Sequence, residues 1–260
     1  MKNKKMTFDF NFWNIILAIF TSSIANILSN YITKKSLYGW LLFFVILIPW
    51  LYNIYKKYER SIKFIISGLT AYYYSFDLEE NPKVWQEVRK SFYYQGISFN
   101  SIIEFFKRWI DEKNISDYKI LLLDPNPNVE DPNLIALVKQ EMYKKGFGLD
   151  VDYTTLNQIE KDEIYRAVDA TKINIESTIK TLQNTKPYQY GHLQIRLYNE
   201  FTPWWLYILD EKVTYIGILE KGKFGYDSPV LVITKKAGYT GVFDAFMNNW
   251  YRIWQSAKSV

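Results

Sequence analysis

Two long uncharged runs open the chain. Residues 10–33 and 36–55 carry no charged side chain, runs of 24 and 20 positions. A helix needs about 20 mostly apolar residues to cross a bilayer core. The second run, with Leu41 to Ile48 apolar on every face, reads as a membrane span. The first is diluted by Asn14, Ser22, Asn26 and Ser29, whose spacing puts polar groups partly on one helical face. A signal peptide followed by one anchor fits less well, because the first run is long for such a peptide and no small-residue cleavage site precedes Lys34. The pattern predicts a two-helix transmembrane hairpin over residues 1–57 and a separate domain over residues 58–260.

Beyond the hairpin, short apolar runs alternate with helical periodicity. Ile62–Ile66 reads as a strand ending in the turn Ser67-Gly68-Leu69-Thr70. Pro82–Tyr94 reads as a helix. Ser101 and Glu104 have capping-box spacing, ahead of a helix that buries Ile102, Phe105, Phe106, Trp109 and Ile110. Tyr118–Leu123 is nearly all apolar, as a strand buried on both faces of a parallel sheet would be, and stops at Asp124-Pro125. Asp131-Pro132 reads as the start of a helix with Leu134, Ile135, Leu137, Val138 and Met142 on its apolar positions. Ile164, Val168, Ile175, Ile179 and Leu182 stripe a long helix from about Thr154 to Asn184, before Pro187. Strands follow at Leu193–Tyr198, Leu206–Leu209, Val213–Leu219 and Val230–Ile233, with a hairpin turn at Asp210-Glu211-Lys212. A last helix opens at Thr240 or Gly241. The order predicts an α/β domain with a mixed sheet.

Charge sharpens the membrane reading. The formal charge is +5, and residues 1–57 hold seven lysines against Asp9 alone, a net +6 that leaves the rest at −1. A domain that grips duplex nucleic acid carries its basic excess on the folded body. Here the excess flanks the apolar runs, so no duplex partner is expected. The lysines before the first run and after the second place both termini in the cytoplasm.

Composition removes much chemistry. Cysteine is absent and His192 is the lone histidine. That excludes disulfides, thiolate metal sites, a cysteine nucleophile and a His-rich metal site. No Walker loop, HExxH or Gly-x-Ser-x-Gly occurs, and Lys145-Gly146-Phe147-Gly148 reads as a helix end. No cofactor or metal is expected. Candidate ligand-binding residues remain. Alternation places His192, Gln194 and Arg196 on one strand face, where Arg196 suits a phosphate. Asp124 ends a buried strand, where ligands of α/β sheets bind, and Ser67 and Thr70 end another early strand.

A family resemblance rests on Ile195–Tyr198, on Leu206–Gly217, on Lys119–Pro125 and on the closing Phe246–Trp254. Together these stretches resemble a phospholipase D-like domain over about residues 62–258. The family's motif is His-x-Lys-x-x-x-x-Asp ahead of a strand and a glycine, with histidine attacking phosphorus and lysine neutralising phosphoryl oxygens. With Asp210 as the motif aspartate, Pro203 stands at the histidine position and Trp205 at the lysine position. The resemblance therefore implies the fold and speaks against the family's hydrolysis. The layout is similar to bacterial membrane effectors of nucleotide-signalled antiphage defence. It implies a non-enzymatic sensor that binds a small ligand, such as a cyclic nucleotide, at His192, Gln194, Arg196, Asp210, Asp124, Ser67 and Thr70. Its partners are then the lipid bilayer and further copies of itself. The rival expectations are a membrane-tethered phosphodiesterase or phospholipase using His192, Arg196 and Asp210, and a protein-binding scaffold.

Overall fold

The computed structural model describes residues 47–49, 51–53, 56, 68–73, 88–113, 115–223, 225–236 and 241–260. The stretch Ser67–Val260 belongs to one compact unit, separate from Lys4–Ile66. Among the described residues no helix is long and apolar enough to cross a membrane. The predicted hairpin lies almost wholly outside them; residues 47–49, 51–53 and 56 of that region are helical.

The unit is built on an eight-stranded sheet. Its strands are β1 (Leu69–Tyr73), β2 (Ser91–Gly96), β3 (Asp117–Leu123), β4 (Leu193–Tyr198), β5 (Trp204–Leu209), β6 (Val213–Ile218), β7 (Val230–Thr234) and β8 (Lys258–Ser259). Their spatial order is β1-β7-β6-β5-β2-β3-β4-β8. Only the β2–β3 and β3–β4 pairs are parallel. The helices are α1 (Ile103–Glu112), α2 (Ala136–Lys144), α3 (Gln158–Gln183), α4 (Lys186–Gln189) and α5 (Val242–Ser256). The predicted mixed α/β sheet is thus present.

Strand β3 shows why. Ile120 to Leu123 are all buried, with parallel neighbours on both sides, so a run without alternation is what both covered faces require. Beside it, β2 corrects the end of the helix expected over Pro82–Tyr94: residues 82–87 lie outside the described residues, but Ser91–Tyr94 are strand, and all six residues of β2 are buried. Phe92 meets Phe106 and Trp109 of α1 on one face, with ring centroids 5.1 and 5.6 Å away. Tyr93 stacks on Trp250 of α5 at 4.8 Å on the other. Two aromatic layers reward extended backbone here, so tertiary packing overrides local helical pattern. Burying a side chain such as Phe106, fully inaccessible, stabilises by about 2–3 kcal/mol.

Helix starts differ from expectation in detail. The Ser101/Glu104 box does not form: Asn100–Ile102 makes a 3-10 turn after Phe99 at φ 60°, and no side chain caps α1. The Asp131 carboxylate does accept the Asn133 N–H at 2.9 Å, but it starts only the 3-10 turn Pro132–Leu134, and Leu134 is exposed. Helix α2 begins at Ala136, whose N–H donates to the Asn199 side chain at 2.7 Å. Helix α3 has a capping box from Asn157 and Glu160 and buries Ile164, Val168, Thr171, Ile175, Thr178 and Leu182. Helix α5 buries Phe243, Met247, Trp250, Ile253 and Trp254, then the chain turns at Ala257 into β8, which pairs antiparallel with β4. The short β8 was not predicted.

Candidate ligand crevice

Parallel strands point their carboxyl ends one way, and the loops leaving them make a natural crevice. Such a crevice, of about 320 Å³, opens beyond β3 and β4 and is closed on one side by the end of α5 and by β8. Asp124 leaves β3, and its backbone N–H donates to Tyr198 O at 2.8 Å, which keeps the two strand ends together. Its carboxylate accepts the Asn126 N–H at 2.9 Å, an Asx turn. Glu200, just past β4, pairs with Arg252 of α5 at 2.6 Å. Leu197, Val129 and Ile253 supply apolar wall, and Lys258 of β8 stands at the rim.

Asp124 is the one predicted residue that lines this crevice. His192 sits at the opposite, amino end of β4, exposed; its backbone bonds Tyr118 N and Pro187 O, both at 2.8 Å. Gln194 is exposed on β4. Arg196 is not a free phosphate ligand: its guanidinium donates to Trp254 O at 2.6 Å and lies over the Trp254 ring at 4.7 Å. A cation at the carboxyl end of α5 complements the helix dipole.

Asp210 is also committed. It and Glu211 form a turn with φ of 51° and 52°. Its carboxylate accepts the backbone N–H groups of Arg89, Lys90 and Ser91 at 3.1, 2.7 and 3.0 Å. Strands β2 and β3 lie between it and His192. Thr70 is on β1, not in a turn, with β7, β6, β5 and β2 between it and β3, and it donates to Val232 O at 3.1 Å. It is therefore no neighbour of Asp124. Ser67 lies outside the described residues.

Pattern reading missed a polar cluster at the amino end of the sheet. The Tyr93 hydroxyl lies 2.6 Å from Asp117 Oδ2 and 2.9 Å from Glu211 Oε1, and Tyr251 donates to Glu211 at 2.8 Å. Lys119 pairs with Asp117 at 2.8 Å and lies over the Tyr93 ring. Burial first, then the Asp117 and Glu211 carboxylates, push the Tyr93 phenol far up. Burial and Glu211 push Tyr251 up to about 12. The alternation Asp117-Tyr118-Lys119 was the available signal. Its partners Glu211 and Tyr251 come from distant elements and left none. Lys119 answers Asp117 and two tyrosine hydroxyls meet Glu211, which ties α5 to the sheet.

The positions that the resemblance aligns with the motif are packed. Trp205 lays its indole against Gly217, so closely that a Cβ there would overlap the ring. Its Nε1 donates to Gly225 O at 3.1 Å. Bulk and a filled hydrogen bond thus occupy Trp205's position, and Pro203 offers no nucleophile.

No family model matches the chain, and no curated protein matches it. Among solved structures, the chain is similar to TrmBL2, an archaeal chromatin protein reported to show a novel mode of DNA binding. That likeness has 13% identity and a TM-score of 0.39, covering 91% of this chain and 70% of that one. It is also similar to Nuc from Salmonella typhimurium, a phospholipase D family member. There the identity is 12% and the TM-score 0.35, with 68% of this chain and 86% of that one covered.

Proposed function

We propose that this chain is a membrane-anchored sensor and effector whose degenerate phospholipase D-like domain binds a small ligand without cleaving it. The observation that carries the reading is Trp205, whose indole fills the motif lysine position against Gly217. The separation of His192, Arg196 and Asp210, with the Arg196 and Asp210 side chains hydrogen-bonded elsewhere, supports this reading over an enzyme built on those three residues. The crevice beyond β3 and β4 is the ligand site, and a cyclic nucleotide is the class suggested by the layout. The two uncharged runs and their lysines support a two-span anchor in a bacterial inner membrane, with both termini cytoplasmic. Ligand binding then shifts the population between assemblies of several copies, one of which breaches the membrane during antiphage defence.

Phosphodiester turnover tests the non-hydrolytic part. The intact chain, incubated with bis(p-nitrophenyl) phosphate, is expected to release no nitrophenol above background, and its His192→Ala variant the same. Turnover that disappears in His192→Ala would install the enzyme in place of the sensor.

A further inference from the structure

The charges around the crevice do not all cancel within the protein. Four ionic side chains line or border it: Asp124, Glu200, Arg252 and Lys258. Glu200 and Arg252 neutralise each other at 2.6 Å. Among the described residues the Asp124 carboxylate meets only the Asn126 N–H, and no ion pair engages Lys258. One negative and one positive charge therefore face the same open volume of about 320 Å³, with Leu197 and Ile253 as apolar wall between strand ends and α5. An anionic phosphate placed there gains Lys258 but meets Asp124, and Arg196 cannot reinforce it because Trp254 holds its guanidinium. A ligand with both charges loses neither contact.

We propose that the crevice selects a small zwitterion with an apolar side group, of free amino-acid type, with its ammonium on Asp124 and its carboxylate on Lys258. This rests on the reading of the crevice as the ligand site and replaces the cyclic nucleotide with a ligand of a different chemical class. The test is the melting temperature of the intact, detergent-solubilised chain with leucine, N-acetyl-leucine, leucinamide and a cyclic dinucleotide. Leucine is expected to raise it, and removing either ligand charge to weaken binding about tenfold or more. Asp124→Asn, which preserves the Asx turn, and Lys258→Met are each expected to weaken leucine binding to a similar degree. Equal binding of leucine and its one-charge analogues would overturn the proposal, as would leucine binding indifferent to both substitutions. Binding of the cyclic dinucleotide alone, weakened by Lys258→Met, would sink the zwitterion while keeping the crevice. Silence of all four probes would sink both.

Discussion

Asp210 looks catalytic in a motif alignment and is structural in the molecule. Three backbone N–H groups end on its carboxylate while its own backbone is left-handed. Asp210→Ala removes the acceptor and strains a β-carbon residue at φ 51°. A loss of about 2–4 kcal/mol is expected by urea denaturation, whereas Asp210→Asn, which tolerates that φ and keeps an acceptor oxygen, is expected to lose about half of that. A loss near zero for Asp210→Ala would mean the carboxylate does not hold Arg89–Ser91. Tyr198 carries a pH signature. Burial pushes its phenol up to about 12, opposed by Thr202 and by the nearby Gln95 amide, although neither Gln95 amide atom reaches hydrogen-bonding geometry. An ordinary tyrosine titrates near pH 10, so the folded state holds the proton longer than the unfolded chain. Stability from this group is full below about pH 10 and is lost as pH rises toward 12. Tyr198→Phe is expected to flatten the alkaline fall of stability by about one proton per molecule, measured by denaturation across that range; an unchanged slope would contradict the assignment.

Among the elements, those with strong periodicity were readable and those shaped by distant partners were not. The stripe of α3 and the unbroken apolar run of β3 announce their burial in the sequence itself. Strand β2 does not, because its aromatic residues acquire meaning only from α1 on one face and α5 on the other. Arg196 reads as a phosphate ligand until Trp254, 58 positions away, claims its guanidinium. Asp124 was legible as a strand-end carboxylate. Lys258 was not, since a two-residue strand has no pattern to detect. The Trp205–Gly217 contact across β5 and β6 gives an element-scale prediction. Gly217→Ala forces a methyl into the indole and is expected to cost about 1–3 kcal/mol. Joined with Trp205→Leu, which vacates the space, its added cost is expected to shrink markedly. Additive losses in the double-mutant cycle would mean the indole does not close that position.

At the scale of the whole molecule, an eight-stranded mixed sheet shares its chain with a segment that carries two long uncharged runs. In the proposed reading the domain senses and the uncharged segment acts on lipid. The most direct test reconstitutes the full-length chain into phosphatidylcholine vesicles loaded with a self-quenching dye, and follows dye release and free choline together as crevice ligands are added. The account predicts dye release that changes with ligand, is weakened by Asp124→Asn, is indifferent to His192→Ala, and proceeds without choline. Choline release abolished by His192→Ala, or vesicles that stay sealed under every ligand with the chain inserted, would contradict it.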